Sequence, residues 1–165
     1  MKAPLLLPLA ALLLGGVFAA NADEPPKKPQ PPKRVLTVDT PNGWLDDAKA
    51  ADTQTQQTGM PLLILFTDSA DPVCIKLRET MIDRGLFQNL IAPRSAKLYV
   101  DLNPKNRKLM PQDRKANKEL KAKYKVEKLP TTVVIGGKGK KQGQEVMRIV
   151  GCPANYVRKL QQVIR

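Results

Sequence analysis

The sequence predicts an α/β domain, a mixed β-sheet with helices on both faces. Three observations carry this prediction. Pro61-Leu62-Leu63-Ile64-Leu65-Phe66 is a short, continuously apolar run, as in a central strand buried on both sides. Strand-like runs alternate with segments of helical apolar spacing, which links the early strands in parallel. The last two strand-like runs are joined by a turn, Gly136-Gly137-Lys138-Gly139, which makes them an antiparallel hairpin.

Residues 1–34 lie outside this pattern. Met1-Lys2 is a short basic start, Pro4 to Ala19 is apolar, and Ala20-Asn21-Ala22 is a small-x-small cleavage site. Residues 1–22 therefore read as a secretory signal peptide. The apolar run is shorter than the roughly 20 residues of a membrane span, so no stable span is expected after cleavage. Export places the chain in the periplasm or outside the cell, where thiols tend to be oxidised. Asp23 to Arg34 holds five Pro and four Lys or Arg and no other apolar side chain, so residues 23–34 read as an extended linker. Residues 35–165 form the domain.

Within the domain, Val35 to Val38 reads as a short strand, and Gly43 to Gln57 as a weak helix with Trp44, Leu45, Ala48 and Ala51 on one face. The strand at 61–66 is followed by a helix over Asp71–Asp83 and a turn or two over Leu86–Ile91. Ala96–Asp101 is the next strand. Gln112–Lys125 is a helix with Ala116, Leu120 and Tyr124 at i, i+4, i+8. Thr131–Ile135 is a β-branched strand, Glu145–Val150 its hairpin partner, and Pro153–Ile164 the last helix.

Composition removes whole classes of chemistry. The chain has 165 residues and no His, which excludes a Ser-His-Asp triad, a Cys-His pair and any His-ligated metal. Its two Cys are too few for a Cys₄ zinc site. No metal and no cofactor is expected. Aromatic residues make up 4%, too few for the stacking platforms of single-stranded nucleic-acid binding, so no nucleic-acid partner is expected. The Gly136–Lys140 stretch lacks the G-K-[ST] ending of a phosphate loop and leads into a strand, so it is a hairpin turn.

Three segments resemble the thioredoxin-like superfamily, and more narrowly exported bacterial thioredoxin-like domains such as those of membrane thiol:disulfide interchange proteins. They are Leu63 to Cys74, a strand running into a helix; Lys97 to Pro104; and Ala122 to Val134, with its K-Y-x-V-x-x-x-P-T pattern. The resemblance covers roughly residues 42–164 and implies a thioredoxin-like three-layer fold. It also implies thiol–disulfide exchange, in which the first Cys of C-x-x-C attacks a disulfide and the second resolves the mixed disulfide.

This chain departs from that chemistry. The motif is Asp71-Pro72-Val73-Cys74, so Asp71 replaces the attacking Cys and only the resolving thiol remains. Leu65 stands where the family often buries an Asp, and Ala70 where it usually has Trp. A dithiol cycle at this motif is unavailable. Asp71 is instead suited to cap a helix, with Pro72 at its first position and Cys74 at its third. The carboxylate would accept the Cys74 N–H and disfavour ionisation of the thiol. Cys74 shares a helical face with Leu77 and Met81 and can equally be an inert small hydrophobe.

Cys152 sits in Gly151-Cys152-Pro153, read as the opening of the last helix, where a thiol is more acidic than usual. The resemblance puts this loop beside Cys74 and the Pro130 loop. A Cys74–Cys152 disulfide, two free thiols and pairing with another chain all stay open. Leu129-Pro130 matches the family's cis-Pro loop, which implies a groove holding a protein or peptide substrate in extended form. Pro130 also has a purely architectural role in such a fold.

The 28 Lys and Arg against 15 Asp and Glu give a formal charge of +13, clustered at Lys105–Lys108, Arg114–Lys128 and Lys138–Lys141. Such surfaces can contact anionic lipid, acidic partners or nucleic acid, although a basic helix face is ordinarily just solvated. Three functional readings follow. One is envelope thiol–disulfide exchange through Cys74 and Cys152 by an oxidoreductase or isomerase. Another is a non-enzymatic, chaperone-like module using the cis-Pro groove. The last is a disulfide-stapled structural protein.

Overall fold

The structure, a computed structural model, describes residues 40–139 and 141–164. The expected signal peptide, linker and strand at 35–38 lie outside the described residues. The described chain folds in the order α1 (Ala48–Thr58), β1 (Leu62–Thr67), α2 (Pro72–Leu77), a π-helical turn (Arg78–Ile82), α3 (Gly85–Leu90), a 3₁₀ turn (Ala92–Arg94), β2 (Ala96–Asp101), α4 (Pro111–Lys123), β3 (Thr131–Ile135), β4 (Glu145–Val150) and α5 (Tyr156–Gln161). Four strands form one sheet in the order β2-β1-β3-β4.

The expected mixed sheet is present. β1 pairs in parallel with β2, from Leu62 opposite Ala96 to Thr67 opposite Asp101. It pairs antiparallel with β3, which in turn forms the antiparallel hairpin with β4. Every residue of β1 is buried, as its unbroken apolar run requires. Because side chains alternate along a strand, Leu63 and Leu65 pack with Leu77, Phe87, Tyr156 and Leu160 on one face. Leu62, Ile64 and Phe66 pack on the other with Ala51, Val126 and, partly buried, Leu120 and Tyr124. Thus α2, α3 and α5 cover one face of the sheet, and α1 and α4 the other.

Several elements differ from expectation for identifiable reasons. The first helix starts at Ala48, not Gly43, because Asp47 caps it by accepting the Lys49 N–H at 2.9 Å. Before the cap, Leu45 extends the sheet: its N–H donates to Lys97 O at 2.8 Å and its carbonyl accepts the Tyr99 N–H at 2.7 Å. Trp44 is buried by stacking on Phe87 and meeting Tyr99 edge-on. The helix expected over 71–83 is α-helical only to Leu77 and continues as the π-helical turn. In α4 the inward residue is Asn117 rather than Ala116, which is exposed; Leu120 and Tyr124 are half-buried as expected. The last helix begins at Tyr156, not Pro153. In the hairpin turn, a Cβ on Gly137 would collide with the Gly59 carbonyl oxygen, so the close approach of the two segments requires glycine.

Candidate functional site

The site gathers at the ends of β1 and β4 and the start of β3. β1 ends at Thr67, and the chain turns through Asp68, Ser69 and Ala70, with the Ala70 N–H bonded to the Asp68 carboxylate at 2.9 Å. Asp71 then caps α2: its Oδ1 accepts the N–H groups of Val73 at 2.8 Å and Cys74 at 2.9 Å. Pro72, which has no N–H to satisfy, occupies the first turn. The cap is as expected from the sequence. The Cys74 N–H, foremost, holds the Asp71 carboxyl below the usual carboxylate range, so it is ionised at neutral pH. A fixed carboxylate therefore occupies the N-terminus of α2, three residues before Cys74.

Cys74 is buried, at 3% exposure. Its sulfur accepts the Asp68 N–H at 3.4 Å. Burial pushes the thiol above its ordinary value, and the Asp71 charge adds to this; the hydrogen bonds from Thr67 and Asp68 only partly offset it. Cys74 is a protonated, shielded thiol near neutral pH. A cleft of about 380 Å³ lies beside it, bordered by Asp68, Ile75, Arg78, Glu79 and Tyr99. Leu65, at the family's buried-Asp position, is 1% exposed within an apolar cluster, so no carboxylate reaches Cys74 from that strand.

The Leu129–Pro130 peptide bond is cis. Pro130 is buried and Leu129 half-buried. The Pro130 carbonyl accepts the Gly151 N–H at 2.8 Å, tying the end of β4 to the cis-Pro loop. Gly151 has φ of 74°, a left-handed conformation that favours glycine. Cys152 follows immediately, half-buried against the cluster that holds Tyr156. The Tyr156 hydroxyl is itself buried and hydrogen-bonded to Thr132 at 2.8 Å. Cys152 thus follows β4 directly, next in sequence to the residue bonded to Pro130, and does not open a helix. Because α5 begins four residues later, the expected helix N-terminal setting of Cys152 is corrected. Both Cys74 and Cys152 are free thiols. Val73 and Val150, at 46% and 50% exposure, leave apolar surface at the ends of the same elements.

A buried polar network behind this site was not read from the sequence. Asp101, the last residue of β2, accepts the Ser69 N–H at 3.1 Å, the Asn103 N–H at 2.9 Å and Asn106 Nδ2 at 2.6 Å. Asn103 Nδ2 donates to the Ser69 hydroxyl at 3.0 Å, and Asn117 Nδ2 to the Asp101 carbonyl at 2.8 Å. The one available signal was Asp101-Leu102-Asn103-Pro104, a polar cluster straight after an apolar strand. Among the described residues, no cluster of Cys, Asp and Glu is arranged to hold a metal ion.

A family profile described as the thioredoxin-like domain matches residues 48–162. The chain belongs to the thioredoxin-like family. A curated relative, the disulfide bond reductase DsbH of Chlamydia pneumoniae, is 29% identical over 123 residues, 74% of this chain and 72% of that protein. A solved structure described as DsbH oxidoreductase superposes with a TM-score of 0.62 at 26% identity, covering 79% of this chain and 93% of that one. A thioredoxin from Thermus thermophilus, at 22% identity, 72% and 84% coverage and a TM-score of 0.55, is similar in fold. Within this thioredoxin-like chain the D-P-V-C segment forms a capped helix start, with Asp71 as the cap.

The two thiols of this thioredoxin-like domain should react very differently. Reduced, folded protein exposed to a small alkylating agent at neutral pH is expected to modify Cys152 at least about a hundredfold faster than Cys74. Peptide mass mapping over time reads both rates. Equal rates would refute the burial of Cys74.

Proposed function

We propose that this is an exported thioredoxin-like protein of cell-envelope thiol–disulfide exchange that works without the attacking cysteine of its motif. The observation that supports the reading is the Gly151–Pro130 hydrogen bond, which holds the residue before Cys152 to the cis-Pro loop. That loop supplies backbone for an extended polypeptide, and Cys152 is the more exposed of the two thiols. The likeness to a disulfide bond reductase supports the same chemistry.

In this scheme the Cys152 thiolate attacks a partner disulfide. The partner's S–S bond breaks, a Cys152–partner disulfide forms, and the released partner sulfur takes up a proton. Cys74 is poorly placed to resolve the adduct, because burial keeps it protonated. The partner's own second thiol resolves it instead, restoring Cys152 and leaving the partner with a rearranged or re-formed disulfide. Such a cycle is isomerisation and consumes no external reductant. Cys74 contributes only if it pairs with Cys152.

The binding-module reading rests on a different observation, the occupation of the α2 N-terminus by Asp71. One experiment separates the two. Refolding of a scrambled disulfide protein is expected to be accelerated by the wild type, abolished by Cys152→Ser and largely kept by Cys74→Ser. Full retention of acceleration by a folded Cys152→Ser variant would sink the exchange reading and leave the binding module. Intact mass of protein recovered from the cell envelope, alkylated with and without reductant, tests export and pairing together. A chain beginning at Asp23 is expected.

A further inference from the structure

The charge of this protein is segregated along the chain. Residues 40–83 hold seven Asp or Glu against three Lys or Arg, whereas residues 104–128 hold ten Lys or Arg against three Asp or Glu. The basic stretch comprises the turn after β2, α4 and the segment leading into cis Pro130. Asn117 turns inward to the Asp101 carbonyl, which fixes the rotation of α4. The opposite face carries Lys115, Lys118, Glu119, Ala122 and Lys123, all exposed. Lys105 and Arg107 extend it at one end and Lys125 and Lys128 at the other, all exposed.

Fold stability does not account for this face. Arg114 is turned away from it and donates to the carbonyls of Pro104, Asn106 and Leu109. Lys123 lies over the Tyr124 ring at 5.3 Å and keeps its charge at the surface. The face is built mainly of Lys, a compact point charge suited to a diffuse anionic surface, rather than of Arg forks suited to a fixed phosphate. Its one aromatic ring, Tyr124, is half-buried against Phe66, which leaves no platform for stacking bases. Met110, 56% exposed at the start of α4, offers a flexible apolar side chain at the edge.

We propose that the α4 face is a docking surface for a lipid bilayer bearing anionic headgroups. The inference goes beyond the exchange chemistry and rests on export only for which membrane is met. Because Lys125 and Lys128 lead directly into Leu129-Pro130, a docked protein would present the polypeptide groove next to the membrane.

Co-sedimentation of the purified protein tests this, with vesicles of phosphatidylcholine alone and of phosphatidylcholine mixed with phosphatidylglycerol. The wild type is expected to bind only the mixed vesicles and to release as salt is raised. A variant carrying Lys105→Gln, Lys115→Gln, Lys118→Gln and Lys123→Gln should lose at least about a hundredfold in partitioning. A control with the same loss of charge elsewhere, Lys49→Gln, Lys138→Gln, Lys141→Gln and Lys159→Gln, should stay within about fivefold of wild type. All eight lysines lie at or near the surface, and circular dichroism checks folding. No binding to mixed vesicles, or equal loss in both variants, would overturn the proposal. So would retention of polyglutamate or duplex DNA at a salt concentration that releases vesicles, which would reassign the face to an acidic polypeptide or a nucleic acid. Should the N-terminus prove uncleaved, the docking face stands only if the four α4-face substitutions still abolish the preference for mixed vesicles, and it is overturned if they do not.

Discussion

Asp71→Cys is expected to give insulin-reducing activity at least about tenfold above that of the wild type, with dithiothreitol as the electron source. The substitution places a thiol at the cap of α2, where two N–H groups now bind the carboxylate at 2.8 and 2.9 Å. Donors that stabilise a carboxylate there also stabilise a thiolate, so the new thiol should be acidic and nucleophilic. Cys74 follows three residues later, the spacing at which a second thiol resolves the mixed disulfide. The limiting step should be resolution, because Leu65 supplies no carboxylate to take the Cys74 proton. Combining Asp71→Cys with Cys74→Ser should therefore trap substrate as a long-lived mixed disulfide, visible by mass. A folded Asp71→Cys variant with no activity above wild type would show that more than one residue separates this site from a dithiol site.

The same local logic explains what was legible in the sequence. Residues 61–66 gave β1 to within one residue, because a run apolar on both faces has few other uses. The Asp71-Pro72 cap was legible because capping depends on a few neighbouring backbone groups. Boundaries set by distant partners were not. Trp44 and Leu45 fit helical spacing, yet stacking on Phe87, the edge-on contact with Tyr99 and the backbone bonds to β2 hold them outside the helix. Ala116 fits the inward stripe of α4, but a hydrogen bond from Asn117 to the end of β2 rotates the helix. Cys152-Pro153 resembles a helix start, but the Gly151–Pro130 bond holds this segment to the cis-Pro loop.

The site divides in the same way. Asp71 and Cys74 are adjacent in sequence, and their relation followed from helix geometry. The segments that carry Cys152 and Pro130 are joined by the pairing of Thr131 with Val150, a relation that only the family resemblance could anticipate. The support behind Ser69 comes from Asp101, thirty-two residues away, and no local pattern encodes it.

That support is the second place where a single substitution should act strongly. Asp101 is 4% exposed and its carboxylate satisfies three donors, the Ser69 and Asn103 N–H groups and Asn106 Nδ2. Asp101→Ala removes the acceptor of all three donors. The expected cost is about 3 kcal/mol, a fall of roughly 10 °C in Tm. Asp101→Asn keeps the shape and one accepting oxygen but turns an NH₂ toward groups that themselves donate, so it should recover only part of the loss. The Ala variant should also free the Ser69–Ala70 turn that leads into the Asp71 cap, and so speed alkylation of Cys74 under conditions where the protein is still folded. Asn117→Ala supplies the comparison, because it removes the α4 contact to the Asp101 carbonyl and leaves the carboxylate and the Ser69 bond intact. It should lower Tm without exposing Cys74. If both variants exposed Cys74 in proportion to their loss of stability, global unfolding would account for the labelling, and Asp101 would have no separate part in holding the site.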